Sequence, residues 1–80
     1  MSKLRADLQI SFGREVRRRR QLLAISQEEL ASRSGLHRTY VSQIERGLKS
    51  PSLGALAALA AGLDTSAHML VRAAEEASTS

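Results

Sequence analysis

The amino-acid sequence predicts an all-α fold of five short helices in one domain. Three observations carry that expectation. Leu and Ala dominate the apolar content and β-branched residues are few, a balance that favours helix over strand. Apolar residues recur at spacings of three and four along most of the 80-residue chain. Glycine, serine and proline fall at the breaks between those runs, where helices start and stop. A chain of this length forms a single small core of marginal stability, so help from a second subunit is expected.

The first helix runs from Lys3 or Gln9 to Leu23. Leu8, Phe12, Val16 and Leu23 follow a 3.6-residue repeat, and the aliphatic stem of Arg19 completes the stripe. Residues 1–7 are read as a flexible arm, residues 8–77 as the domain and residues 78–80 as a frayed tail. Ser26 and Glu29 have capping-box spacing: the hydroxyl accepts the Glu29 N–H while the carboxylate reaches back. A second helix starts there and turns Leu30 and Ala31 inward. Gly35 gives a tight turn the backbone freedom it needs. The third helix spans Arg38 to Glu45, with Leu36, Val41 and Ile44 on its apolar edge. Positions 38, 39, 42, 43 and 46 must then point away from the core. Gly47 ends it. Ser50 caps and Pro51 opens the fourth helix, which carries Leu53, Leu56, Leu59 and Leu63 and closes at Gly62 or Leu63. Thr65 caps the fifth, with Met69, Leu70, Ala73 and Ala77 on one face.

Charge is unevenly placed. Residues 1–49 hold eleven of the twelve Lys and Arg against five of the eight acids, a balance of +6, whereas residues 50–80 balance at −2. A basic half beside an apolar, mildly acidic half suits a polyanion on one side, although arginines can also serve simply to solvate a helix face. Residues 26–47, SQEELASRSGLHRTYVSQIERG, add a sharper signal. They form two short helical patterns joined by a glycine turn, and the second has Arg38, Thr39, Ser42 and Gln43 on its polar face. A short helix held at an angle to its neighbour can enter the DNA major groove.

From Phe12 to Leu70 the chain resembles the phage-repressor and Cro-type helix-turn-helix regulators, the xenobiotic-response-element family. FGREVRRRRQ looks like that family's first helix, SQEELA its second, SGLHRTYVSQIERG its turn and recognition helix, and SPSLGALAALA its fourth. The Arg-Thr-Tyr opening of the third helix is similar to the small controller proteins of restriction–modification systems. The resemblance implies a lambda-repressor-like domain that binds double-stranded DNA as a homodimer to regulate transcription. Ala24 stands where the family most often has glycine, so a left-handed backbone there would strain alanine by about 1 kcal/mol.

Roles follow residue by residue. Arg38, Thr39, Ser42 and Gln43 are the candidate base-reading side chains, since arginine can bind guanine bidentately and threonine can touch the thymine methyl. Gln27, at the start of helix two, is a candidate phosphate ligand by the family pattern, and helix N-termini attract anions. Arg46 and Lys49 are expected on phosphates, and Arg14, Arg17 and Arg18 add positive field. His37 replaces the family's Ser or Thr cap, a poorer cap whose charge phosphate could favour. Tyr40 either reaches a phosphate or packs flat against helix two. Arg20 and Glu45 are expected, from the family pattern, to form a structural ion pair between helices one and three. Leu63, Met69, Leu70, Val71 and Ala73 exceed what one small core needs and are assigned to a dimer interface.

Other classes fit poorly. The chain lacks cysteine, a carboxylate dyad, a nucleophile–base pair and a Gly-rich phosphate loop, so neither an enzyme nor a cofactor is expected. His37 and His68 have no neighbouring ligand set for a metal. With no apolar run approaching ~18 residues, no membrane span is expected. The absence of cysteine suits a reducing cytoplasm. A competing reading is a protein-interaction module, an antitoxin or bridging coactivator, that would use helices one, four and five. RNA polymerase is a candidate partner only for an activator.

Overall fold

The computed structural model describes residues 3–79 of the chain, as five helices: α1 (Lys3–Leu22), α2 (Gln27–Ser34), α3 (Arg38–Glu45), α4 (Leu53–Gly62) and α5 (Ala67–Ser78). The ends of these helices set the angles between them. The first four close through one motif, a left-handed residue followed by two backbone bonds back into the last turn. After α1, Ala24 has φ 57°, and Ile25 N–H donates to Arg20 O while Ala24 N–H donates to Gln21 O. Gly35 and Gly47 play the same part after α2 and α3, as their positions in the sequence imply, and Asp64 with φ 58° does so after α4. Asp64 was not anticipated. Its short polar side chain tolerates the left-handed region better than most, whereas Ala24 occupies it at a cost.

Helix starts are only partly as expected. Ser26 Oγ accepts the Glu29 N–H at 3.0 Å, but the Glu29 carboxylate accepts from Arg33 Nε instead of reaching back. Ser52, not Ser50, caps α4, taking the Ala55 N–H at 3.1 Å, so Pro51 lies before the helix. Ser66, not Thr65, is the N-cap of α5. The Thr65 hydroxyl is engaged elsewhere, accepting from Arg19 Nη1 at 3.1 Å.

The first helix is longer than the arm reading allows. Residues 3–7 are helical, and Met1 and Ser2 lie outside the described residues. α1 runs along α5 in the opposite direction. Arg19 meets Thr65 at one end, and Leu8 lies beside Ser78 and Thr79 at the other. That partner lets the helix start early. It also holds the far end of α5, where Ser78 is still helical and Thr79 Oγ1 donates to Glu75 O. Ser80 is outside the described residues.

The core gathers Phe12, Val16, Leu30, Val41, Ile44, Leu59, Leu63 and Leu70, with small Ala31, Ala60 and Ala74 between them. Three apolar assignments change. Leu23, expected on the stripe of α1, lies just past its last residue and is exposed. Leu53, expected on the inner stripe of α4, is 85% exposed, because Ala55 and Leu59 define the buried phase. On α5 the inner face is Leu70 and Ala74 with Ala67 packed beside them, so of the expected Met69, Leu70, Ala73 and Ala77 face only Leu70 is fully buried. No single described helix is long and apolar enough to cross a membrane. α4 and α5 meet that test only as a pair bent by 98°, and their apolar residues supply much of this core.

Gly13 sits where α1 crosses the end of α3. A β-carbon there would overlap the Ile44 carbonyl oxygen and lie 2.9 Å from that of Glu45, both backbone atoms. Gly54, on α4, has open space around it. The same substitution should therefore act oppositely at the two sites. Gly54→Ala should raise stability by about 0.5–1 kcal/mol through helix propensity. Gly13→Ala should lower it by about 1–3 kcal/mol through overpacking, with thermal melts read by circular dichroism separating the two.

Candidate nucleic-acid interface

α3 turns Val41 and Ile44 into the core, both fully buried, and this fixes which side chains can face out. Arg38 and Thr39 in its first turn are exposed, and Ser42 and Gln43 are half-buried one turn later. Arg46 and Lys49, beyond the last turn, are exposed. None of Arg38, Arg46 and Lys49 forms an ion pair among the described residues. Eight residues at 1.5 Å rise make a rod of about 12 Å, comparable to the width of a major groove. His37 is the N-cap residue of α3, exposed and without a side-chain capping bond.

Beneath the helix lies a buried polar cluster. Glu45, 2% exposed in its side chain, accepts from Arg20 Nε at 2.7 Å and Arg20 Nη2 at 3.0 Å, a bidentate pair. Arg20 Nη1 also donates to Ile25 O, tying in the turn before α2. The hydrogen bond to Glu45 raises the Arg20 pKa against the opposing effect of burial. Gln27 closes the cluster, its Nε2 donating to Glu45 Oε1 at 3.1 Å. Gln27, read from sequence as facing phosphate, thus spends one amide N–H inward, leaving the second N–H and its backbone N–H.

Tyr40 has its ring packed against the core, which includes Leu30 and Ala31 of α2, and its hydroxyl oxygen accepts the Ser52 N–H at 3.3 Å, bracing the start of α4. The arginine run on α1 divides in two. Arg18 and Arg19 are drawn back to Glu15, at 2.8 and 2.7 Å. The Arg18 hydrogen bond, joined by Arg19, holds the Glu15 carboxyl below its usual range, so the clasp stays charged at neutral pH. Arg14 and Arg17 remain exposed, and Arg17 lies one turn from Gly13, on the side of α1 that meets α3.

Two members of the expected dimer interface are not surface at all. Leu70 is fully buried and Leu63 is 4% exposed, both inside the core, because the phase of α5 and the turn after α4 point them inward. Met69, Val71 and Ala73 keep exposed or half-exposed positions. The sequence reading also missed Gln9, whose amide reaches the segment after α3 at Gly47 and Ser50. A lone glutamine 38 residues from its partner leaves no pattern to detect.

Comparison with known proteins agrees with this geometry. Residues 16–70 match the family described as helix-turn-helix. The control protein C.SmaI of Serratia marcescens is 40% identical over 65 residues, covering 81% of this chain and 77% of that protein. The chain belongs to the helix-turn-helix family of DNA-binding transcriptional regulators, of the xenobiotic-response-element type. An uncharacterized helix-turn-helix-type transcriptional regulator of Mycobacterium tuberculosis is 41% identical over 58 residues, and the chain spans only 41% of its length. Among solved structures, the restriction-modification controller protein C.AhdI of Aeromonas hydrophila is similar at a TM-score of 0.76 and 43% identity. That match covers 81% of this chain and 97% of the other.

In this helix-turn-helix regulator, Glu45 joins α1, α2 and α3 at a single carboxylate. Glu45→Ala should cost about 3–5 kcal/mol, since Arg20 would keep a largely buried charge with no counter-charge, only the Ile25 carbonyl. The double variant Arg20→Met with Glu45→Leu should recover most of that loss. Urea denaturation would show it, and a double variant as unstable as the single one would contradict the argument.

Proposed function

We propose that this regulator binds a specific palindromic DNA operator as a homodimer, with α3 in the major groove of each half-site. The observation that carries the proposal is the outward face of α3. Its unpaired arginine, threonine, serine and glutamine stand on a helix whose opposite face is locked into the core. Arg38 and Thr39, at the end that enters deepest, read base edges, and Gln43 and Ser42 read bases one turn further on. Gln27 and His37, with Arg46 and Lys49, meet phosphates along the groove walls. Relatives named as a control protein and as a restriction-modification controller protein support a regulatory role, which we place at a promoter in the cytoplasm.

One helix-turn-helix unit reads few base pairs, and a two-fold pair reads half-sites about 34 Å apart. The apolar surface for that pairing lies at the start of α4. Leu53, almost wholly exposed, shares a helix face with Leu56, which lines a mainly apolar cleft with Leu8, Phe12, Pro51 and Val71, edged by the polar Arg5, Gln9 and Ser50. A second copy of the chain is the occupant we assign to it, with Val71 kept from the expected interface and Leu53 added.

Two measurements bear on this reading. Operator fragments selected from a random DNA pool should bind Arg38→Ala about 1–3 kcal/mol more weakly than wild type, with preference relaxed at one base position. Gel-shift titrations showing undiminished, equally selective binding by that variant would remove the base-reading role. Leu53→Asp, at a surface site, should keep the helical circular dichroism and shift sedimentation toward monomer. A dimer as tight as wild type would move the interface elsewhere.

A further inference from the structure

The segment between α3 and α4 is a strap with little backbone support of its own. The bonds from Gly47 N–H to Ile44 O and from Leu48 N–H to Gln43 O belong to the closing turn of α3. Among the described backbone bonds outside helices, Lys49 and Ser50 donate none, and Pro51 has no N–H to give. The next anchor is at Ser52, whose N–H meets Tyr40 Oη. Between these points the strap is held from α1. Gln9 Nε2 donates to Gly47 O at 2.8 Å, and Ser50 Oγ donates to Gln9 Oε1 at 2.7 Å. One amide thus uses its donor and its acceptor on the two sides of Leu48-Lys49. The strap also lies close on α1 here, since a β-carbon on Gly47 would come within 3.1 Å of Ile10 Cγ1.

We propose that Gln9 is a positioning residue for DNA binding, which fixes the strap so that Lys49 meets a backbone phosphate. Lys49 itself is exposed and makes no ion pair among the described residues. A lysine on a loose loop makes a diffuse contact, whereas one on a pinned loop releases a counterion at a defined phosphate. The inference rests on the assignment of Lys49 to phosphate, and its test separates the two.

The full chain is titrated against a mixed-sequence 24-base-pair duplex between 50 and 200 mM salt, a probe that reports phosphate contacts alone. Gln9→Met keeps the side chain's length and removes both hydrogen bonds. Lys49→Ala should lower the slope of log affinity against log salt by about one unit. Gln9→Met should lower it by a similar amount, so that its deficit against wild type narrows about three- to fourfold across that range. The double variant should fall no further than Lys49→Ala alone, which a merely structural role would not produce. Should Gln9→Met fail to fold, Ser50→Ala removes one of the two bonds at an exposed residue and should move the slope the same way. An unchanged slope in Gln9→Met beside a lowered slope in Lys49→Ala overturns the inference and leaves the phosphate assignment standing, as does an additive double variant. An unchanged slope in Lys49→Ala overturns both.

Discussion

The half of this domain that carries α3 depends on one buried carboxylate. Glu45 sits at the end of α3, and every hydrogen bond it accepts comes from another helix: two from Arg20 on α1, one from Gln27 on α2. Burying such a pair adds little net stability, because desolvation cancels much of the attraction. Its contribution is orientation. A carboxylate with directed donors on two sides tolerates few placements of α3, where an apolar contact would tolerate many. Gly13 is what allows the arrangement, since only a residue without a side chain lets α1 come near enough to the Ile44 and Glu45 carbonyls for Arg20 to reach.

Much of this was legible in the sequence because it depends on local chemistry. Gly35 and Gly47 announce left-handed closures, and Ser26 announces a helix start through the N–H three residues on. The outward face of α3 follows from the inward Val41 and Ile44 alone. What stayed hidden depends on partners distant in sequence. The cap of α4 moved from Ser50 to Ser52 because Ser50 is drawn to Gln9 and Tyr40 meets the Ser52 N–H. The early start of α1 depends on α5 lying alongside it. The phase of α5 misled because Met, Leu and Ala crowd several of its faces, so composition could not say which face α1 covers. Leu53 misled likewise, a leucine spaced like the rest of its stripe although the buried face of α4 is made by Leu59 with Ala55 and Ala60.

The two halves of the molecule divide the labour by chemistry. In the basic half, Glu15 gathers Arg18 and Arg19 along α1, while Arg14, Arg17, Arg38, Arg46 and Lys49 are exposed and form no ion pair among the described residues. In the acidic half, α4 and α5 place Leu59 and Leu70 in the core and leave Leu53 and Met69 exposed. The match to the helix-turn-helix family covers residues 16–70 and so takes in both halves, with α3 near its middle. The short apolar helices that follow belong to the same unit, because Leu59, Leu63 and Leu70 share one buried cluster with Val41 and Ile44 of α3 and with Val16 and Leu30 of the helices it packs on.

The central claim is that α3 reads DNA through the major groove, and chemical interference on a selected operator tests it most directly. Methylation by dimethyl sulfate marks guanine N7 in the major groove and adenine N3 in the minor groove. The account predicts that bound DNA is depleted of N7-methylated guanine in two clusters about 10 base pairs apart, with minor-groove methylation tolerated at the same positions. Interference confined to adenine N3, or none at all on a fragment the protein selects, would contradict it.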